Sequence, residues 1–326
     1  MINHLENIKG ICTKTGLVKS LRRFYKSQVP AACNYNVYDS TPTTFLVLSD
    51  CNDPEYQAFV QRFQEIEKGN FKKERIPAKH CKNNLWLIKP AAENQGRGIE
   101  VFQNDLPAMK SFLSSKVANS YWVVQKYIEQ PLLYHKRKFD IRMWAVITWE
   151  SELYYYKHGY IRTSSDVYST DSKLNYVHLT NNCLQKYGDN YEAFEEGNTL
   201  GFEVLEKYIM EQYPGFNFEA HIIPRIKDLM IDSFLSVKNE LNPSKRRNCF
   251  ELLGFDFMID EDLRTWLIEI NTNPYLGVPN KFIEGLLPKM LNDLFCINLD
   301  PYVQNVNRLP QTGKYLNIRN RDKQPV

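Results

Sequence analysis

The sequence lacks the features that mark several common classes of protein. No run of apolar residues approaches bilayer-spanning length, and the opening residues, MINHLENIKG, have no apolar core of a signal peptide. The seven cysteines are scattered and never spaced Cys-x-x-Cys, which argues against a disulfide framework and a zinc site. No internal repeat or low-complexity tract is visible. These absences predict a soluble cytoplasmic protein with no membrane partner.

The chain also lacks a strong charge of one sign. Its formal net charge is +3, which is too small to indicate a nucleic-acid partner. The positive charge is concentrated in residues 19–26, 72–82 and 136–138, which are either solvated faces or contacts for an acidic partner. A length of 326 residues, 43% of them hydrophobic, suffices for two lobes around a cleft, each with its own core.

The most informative stretch is 249–275, CFELLGFDFMIDEDLRTWLIEINTNPY. Apolar and polar residues alternate on either side of an Asp-Glu-Asp turn, which predicts two strands of a hairpin. If Asp260 pairs with Thr265 across the turn, Asp256 lies directly opposite Glu269.

Asn271 shares the face of Glu269, because it lies two residues further along the same predicted strand. Two carboxylates and an amide oxygen would then converge within ~7 Å. Such hard oxygen ligands suit magnesium shared with nucleotide phosphates. The alternative is a surface hairpin whose acids face water.

A strand, glycine loop and strand unit spans residues 85–102. Lys89 lies near the end of the first strand, and the loop NQGRG contains Gln95, Gly96 and Gly98. Glycines let backbone N–H groups approach phosphate, and a lysine at the strand end can neutralise it. A plain hairpin turn explains the same residues.

The predicted strand 122–128 runs into Glu-Gln-Pro and could form a linker between lobes. Exposed backbone groups at Gln125, Lys126, Tyr127 and Ile128 could then read an adenine edge. Elsewhere, apolar spacing predicts helices over 106–117, 199–212 and 219–240 and a final helix that contains residues 282–294.

A second unusual strand is predicted over 136–147, where Lys138, Asp140 and Arg142 alternate with apolar residues. One alternative is a solvated outer face of an antiparallel sheet. The other is a cleft floor where the lysine and arginine hold phosphates and the aspartate accepts a ribose hydroxyl. The next predicted strand adds Arg162. The later cluster HLTNN contains Thr180 and Asn181, for which capping or turn chemistry is the simpler explanation.

Together these motifs make the chain recognisable as similar to the tubulin tyrosine ligase and tubulin tyrosine ligase-like family. The resemblance covers about residues 84–275, with weaker likeness at 11–19 and 42–48. It rests on motifs that occur in the family's order: LIKPAAENQGRGIEVF, VVQKYIEQPLL, KRKFDIRMWAVIT, GYIRTSS, HLTNNCLQK, YEAFEEGN and LLGFDFMIDEDLRTWLIEINTNP.

The resemblance implies an α/β (α+β) fold of the ATP-grasp type, in which two lobes with mixed and antiparallel sheets flank an ATP cleft. The expected lobes are residues 1–132 and 133–303, followed by a polar tail at 304–326. The implied cofactors are ATP and Mg²⁺.

The resemblance also assigns roles to single residues. Arg142 and Arg162 would face the transferred phosphate and the acceptor carboxylate and, with Glu269, form the catalytic group. The implied metal ligands are Asp256, Glu269 and Asn271. The implied nucleotide-binding residues are Lys14, Lys89, Gln95, Gly96, Gly98, Gln125, Lys126, Tyr127, Ile128, Lys138, Asp140, Thr180 and Asn181.

The implied reaction joins an amino acid to a carboxylate of a tubulin tail through an acyl phosphate. The ending TNPYL after the hairpin differs from the Gly-Ala-Pro type of tubulin tyrosine ligase, and the resemblance leaves little room for that enzyme's N-terminal domain. Both departures favour glutamate or glycine over tyrosine. The expected partners are therefore tubulin and a free amino acid.

The chain carries no long basic extension after the core, so we expect soluble tubulin as substrate or an accessory subunit as a further partner. The cytoplasm and cytoskeleton are the expected location, with a cilium or basal body as a narrower alternative. Two other functions stay open: a catalytically silent tubulin-binding subunit, and an ATP-grasp ligase acting on a substrate other than tubulin.

Overall fold

The computed structural model describes residues 1–28, 36–69, 78–93, 96–172, 174–302 and 315–317. Two β-sheets meet along a cleft that residues of both sheets line. The smaller sheet is antiparallel, with strand order β2-β5-β3-β4. Its strands are β2 Thr44–Leu48, β3 Leu85–Pro90, β4 Glu100–Gln103 and β5 Tyr121–Lys126. The strands predicted in this part of the chain are confirmed.

Helices α3 (Pro54–Glu67) and α4 (Leu106–Ser114) pack on the small sheet. Each begins in the same way, with an aspartate side chain accepting a backbone N–H and a proline in the first turn. Phe59 of α3 lies edge-to-face against Trp86 of β3, with ring centroids 5.1 Å apart. Their burial fixes β3, which carries Lys89.

The larger sheet is built around a long antiparallel pair, β7 and β11. β11 also pairs with β12, and β7 also pairs with β8 and β9. β1 is an added strand that pairs with β11 in parallel. The strands are β1 Ile2–Asn3, β6 Leu133–Tyr134, β7 Arg137–Thr148, β8 Leu153–Tyr156, β9 Tyr160–Val167, β10 Thr199–Leu200, β11 Cys249–Ile259, β12 Thr265–Thr272 and β13 Tyr315–Asn317.

Helices cover both faces of the larger sheet. Apolar residues of α2, α7 and α9 pack on one face, and those of α10 pack on part of the other. The helices are α1 Lys9–Cys12, α2 Lys14–Gln28, α5 Asn175–His178, α6 Asn182–Gln185, α7 Phe202–Gln212, α8 Phe218–His221, α9 Ile223–Leu235 and α10 Lys281–Asn298. Short 3₁₀ turns lie at Val37–Asp39, Ala78–Cys81, Glu196–Asn198, Lys238–Glu240 and Asp300–Tyr302.

Every residue of β7 is buried. Odd-numbered side chains such as Ile141 enter the core under α2 and α9, whereas Trp144 and Val146 pack under α10. The charged residues 138, 140 and 142 lie on the same side as Trp144, before the cover of α10 begins. The alternative of a solvated outer face is therefore wrong, because these residues line the cleft; their contacts with phosphates and a ribose stay a prediction.

The predicted hairpin register is wrong at the turn but right at the acids. Ile259, not Asp260, pairs with Thr265, which would move the register by one residue. A β-bulge after Asp256 leaves Ile268 without a partner and absorbs that shift. Asp256 therefore still pairs with Glu269.

Two predicted helices are interrupted. The helix predicted over 199–212 begins only at Phe202, because Thr199 and Leu200 pair with β9 as β10. The helix predicted over 219–240 is divided into α8 and α9, and Pro224 lies at their junction, where it cannot donate the helical hydrogen bond.

The division into lobes at 1–132 and 133–303 stays a prediction, and β1, α1 and α2 pack with the larger sheet. Of the predicted tail, the structure describes only Tyr315–Asn317, which pairs with β8. Within the described ranges no helix is long and apolar enough to cross a membrane.

Candidate functional site

The hairpin β11–β12 brings three oxygen-bearing side chains together. Asp256 and Glu269 occupy directly opposed positions, and Asn271 lies two residues beyond Glu269 on the same face. The amide nitrogen of Asn271 lies 3.2 Å from Asp256 Oδ2 and 3.1 Å from Glu269 Oε1. Two carboxylates therefore converge on the side-chain amide of Asn271.

The two carboxylates have opposite pKa shifts. Burial alone would raise the pKa of Asp256, but Arg142 and Arg162 offset it and hold this pKa well below its usual range. Burial and then the charge of Asp256 raise the pKa of Glu269. A divalent cation between them would remove the reason for Glu269 to retain a proton.

The donor set fits magnesium better than a transition metal. Within the described ranges no group of three or more His, Cys, Asp or Glu side chains could hold a metal. Asp256, Glu269 and the amide oxygen of Asn271 are hard ligands too few to complete an octahedron, as at sites where phosphate and water supply the rest. The amide would have to turn its oxygen towards the cation.

Arg142 and Arg162 bind these acids from neighbouring strands. Arg142 on β7 donates to Asp256 through Nε and Nη2, the latter at 3.0 Å. Arg162 on β9 donates to Asp140 at 2.6 and 2.9 Å and lies 3.0 Å from Asp256 Oδ2. The result is a continuous chain of alternating charges on the floor of the cleft.

Asp140, predicted to contact a ribose, is thus paired with an arginine. It also accepts the hydroxyl hydrogen of Thr180. Thr180 and Asn181 follow α5, and both line a cavity of about 80 Å³ together with Asp140 and Lys138. Asn181 also lines a second cavity of about 410 Å³ with Arg142 and Arg162.

Buried lysines of two sheets lie at the same cleft. Lys89 of β3 donates to Gln125 Oε1 at 2.7 Å, and burial lowers its pKa to about 8. Lys138 of β7 donates to the Tyr127 hydroxyl at 3.0 Å and the His178 carbonyl at 2.7 Å. Burial, and then the charge of Lys89, lower the pKa of Lys138 to about 7. An anion between the two lysines would stabilise the charged form of both.

Lys14, at the start of α2, approaches the same acids from a third direction. Its ammonium donates to the Glu93 carbonyl. Burial lowers its pKa, and the charge of Glu269 opposes that shift. Lys14, Lys89 and Glu269 line one further cavity of about 230 Å³.

The predicted adenine-binding segment uses most of its polar side chains internally. Gln125 donates to Thr44, and Lys126 donates to the Leu85 carbonyl at 2.8 Å and to Glu129 at 2.7 Å. A contact from Lys126 to a base would therefore have to come from its backbone. Residues 125–128 all line the small cavity.

Gly96 of the glycine loop lies beside Asn181 of the polar cluster that follows α5. Gly96 and Gly98 have φ values of +75° and +66°, which L-residues rarely adopt. A Cβ on Gly96 would be 3.6 Å from Asn181 Oδ1. Gln95 lies outside the described residues.

Three residues that sequence reasoning missed also border the site. His178 accepts from the Tyr127 hydroxyl at 2.9 Å and donates to the Ser172 carbonyl at 2.7 Å, which orients the hydroxyl that Lys138 contacts. Lys186 and Tyr160 line the cavity of about 410 Å³. The motif HLTNNCLQK contains two of these residues, but nothing in its spacing shows their partners.

The chain is similar to known proteins over nearly all its length. The profile of the Tubulin-tyrosine ligase family matches residues 1–307. Tubulin glycylase 3C of Tetrahymena thermophila is 37% identical over 224 residues, which are 67% of this chain and 21% of that protein. Tubulin monoglycylase TTLL3 of Danio rerio is 33% identical over 226 residues, which are 67% of this chain and 29% of that protein.

A third relative matches more evenly. The Tetrahymena thermophila protein named "Probable alpha-tubulin polyglutamylase Ttll1" is 30% identical over 318 residues, which are 91% of this chain and 71% of that protein. By contrast, the matched part is less than a third of either glycylase above.

Proposed function

The chain belongs to the tubulin-tyrosine ligase family, and from that premise we propose that it is an ATP-dependent carboxylate–amine ligase acting on tubulin. One observation carries the proposal. Two carboxylates, two guanidiniums and two buried ammonium groups come from five strands and meet in one cleft. Burying so many charges costs free energy, so clusters of this kind are typical of ligand-binding sites. The positive and negative charges of an ATP–magnesium complex match those of this cluster.

The proposed reaction has two steps. An acceptor carboxylate oxygen bonds to the γ-phosphorus of ATP, the bond to the β-phosphate oxygen breaks, and ADP leaves. The amine of the incoming amino acid then attacks the acyl carbon, phosphate leaves, and the nitrogen loses a proton. Arg142 and Arg162 draw the acceptor carboxylate towards the anionic phosphate and stabilise the group in transfer.

The remaining residues bind and orient the nucleotide. Asp256, Glu269 and Asn271 would hold magnesium, which when bound offsets charge on the phosphates. Lys14, Lys89 and Lys138 would contact phosphate oxygens, and the amides at Gly96 and Gly98 would cover them. The further proposed contacts are the backbone of residues 125–128 for adenine, and Asp140, Thr180 and Asn181 beside the sugar and phosphates.

The added amino acid is proposed to be glycine, with glutamate as the second candidate. The names of the glycylases and of the polyglutamylase support both. The acceptor is proposed to be a glutamate in an acidic tubulin tail. The positive charges of Arg142, Arg162 and Lys186, which line the cavity of about 410 Å³, complement such a tail. Association with the cytoskeleton follows from that substrate.

The test is incubation with tubulin, ATP, magnesium and isotopically labelled glycine, glutamate or tyrosine, followed by mass spectrometry of the tubulin tails. We expect glycine or glutamate on tail glutamates, and no incorporation by the Glu269→Gln variant. Glu150→Gln is the matched control, since Glu150 is exposed on the turn after β7. Incorporation that continues in Glu269→Gln would contradict the assigned site.

A silent scaffold gives a different result. It would bind tubulin tails without ATP, keep that binding in Asp256→Ala, and incorporate none of the three amino acids. Phosphate release with a small-molecule acceptor, but none with tubulin, would identify a ligase for another substrate.

A further inference from the structure

The segment that follows the hairpin exposes an unusual run of apolar side chains. Residues 273–279 connect β12 to α10 without regular structure. The fractional exposures are 67% for Tyr275, 38% for Leu276, 54% for Val278 and 36% for Phe282 at the start of α10. Single exposed apolar residues are ordinary, but four within eight residues form a patch that calls for a partner. We name these four residues the apolar rim.

Anchors on both sides hold the segment that carries Tyr275, Leu276 and Val278 of the apolar rim. Pro274 is buried against Gly254, where an added Cβ would come within 2.9 Å of the proline. Asn280 is buried, caps α10, and donates to the carbonyls of Glu196 and Thr199 at 2.9 and 2.8 Å. Both ends of the segment are therefore fixed, and the three apolar side chains between them are exposed.

The rim is continuous with the cavity of about 410 Å³ in the candidate site. Tyr275 lines that cavity together with Arg142 and Arg162. The Tyr275 ring lies over Gly277, where a Cβ would be only 1.9 Å from the tyrosine hydroxyl oxygen. Glycine at 277 therefore permits this position of the ring.

The charges around the cavity define what would enter it. Arg142, Arg162 and Lys186 line it, and Glu269 is the acid among its lining residues. An anionic group would be drawn into the cavity while an apolar group would cover the rim. A cube with the cavity's volume of about 410 Å³ has an edge of about 7 Å, a distance that two residues of extended chain span at about 3.4 Å each.

We propose that the apolar rim is a docking surface for the acceptor peptide, which rests on the function proposed above. The peptide it selects is acidic and carries a large apolar side chain about two residues from the carboxylate that enters the cavity. A second copy of this chain fits less well, because a symmetric contact through the rim would bring two positive cavities towards each other.

The test uses the full chain and two fluorescent glutamate-rich peptides of equal charge. One peptide carries leucine two residues from the central glutamate, and the other carries serine there. Binding is measured by anisotropy with a non-hydrolysable ATP analogue and magnesium. The variants are Tyr275→Ser with Val278→Ser, and separately Gly277→Ala, which displaces the ring without removing it. Tyr121→Ser with Val117→Ser is the matched control, since both residues are exposed on the other lobe.

We expect the leucine peptide to bind about tenfold more tightly than the serine peptide, and the rim variants but not the control to abolish that difference. The KM for ATP should stay unchanged. Equal binding of both peptides by the unaltered chain would overturn the inference, as would concentration-dependent dimers in light scattering that the rim variants abolish. The proposed function is tested apart from this, because amino-acid incorporation into either peptide would support it whichever peptide binds better.

Discussion

Removing the charge of Glu269 should stabilise the metal-free protein while it removes magnesium binding. The oxygens of Asp256 and Glu269 contact one amide nitrogen at 3.2 and 3.1 Å and are therefore at most about 6 Å apart. At an effective dielectric constant of about 20, two unit charges at that separation repel by about 3 kcal/mol. Solvent in the cleft and the two nearby guanidiniums weaken this repulsion, because Glu269 is partly exposed. We therefore expect Glu269→Gln to raise the free energy of unfolding by about 1 kcal/mol at pH 7.

The gain should depend on pH in a defined direction. The folded-state pKa of Glu269 is raised above its ordinary value of 4.5. The unfavourable charge is therefore present above the raised pKa and is lost as the pH falls through it towards 4.5, because below 4.5 the glutamate is protonated in both states. The advantage of Glu269→Gln should be largest at pH 7 to 8 and should vanish in acid.

Urea unfolding at pH 7.5 and pH 4.5, with EDTA, measures both quantities. The matched control, Glu150→Gln, should change the free energy of unfolding by less than about 0.5 kcal/mol. Adding magnesium with an ATP analogue should reverse the order, because only the unaltered chain gains binding energy. A Glu269→Gln variant that is less stable than the unaltered chain at pH 7.5 without metal would refute the reasoning.

Three further predictions follow from the cleft. Because the pKa of Lys138 is lowered to about 7, ATP binding should take up a proton, and the affinity for ATP should fall by up to about tenfold per pH unit above pH 7. Calorimetry in buffers of different ionisation enthalpy measures both effects. An affinity that does not depend on pH would contradict this prediction. Asp140→Asn removes a charge that pairs with buried Arg162 and should lower the free energy of unfolding in urea by about 2–4 kcal/mol. The control Asp171→Asn, at an exposed position, should change it little. Equal stability of the two variants would contradict the prediction. Gly96→Ala should cost about 1 kcal/mol through its φ of +75° and raise the KM for ATP, and an unchanged KM would remove the glycine loop from the binding site.

Prediction from sequence succeeded where a local pattern determines the outcome. The alternation in β7 placed residues 138, 140 and 142 on one face because side chains of a strand alternate by backbone geometry alone. The same rule related Glu269 to Asn271. The pairing of Asp256 with Glu269 was reached from a wrong turn register, and the bulge at Ile268 preserved it.

Sequence reasoning missed the partners that lie far away in the chain. Asp140 as a ribose contact stays a prediction, and the structure adds its pairing with Arg162, 22 residues later. Arg142 as a phosphate ligand also stays a prediction, and the structure holds that arginine on Asp256, 114 residues later. Which charges meet depends on the order of strands in the sheet, and the linear pattern does not contain that order.

The sequence by itself determined the family, the two sheets and the candidate residues for phosphate and cation binding, because residue type and strand period are local properties. Only the tertiary structure decided that β7, β9, β11 and β12 lie side by side, so that arginines of two strands compensate the acids of the hairpin. It also decided that Lys89 of the small sheet faces Lys138 of the large one. Long-range packing sets those distances, and with them the pKa shifts of the lysines and carboxylates in the cleft.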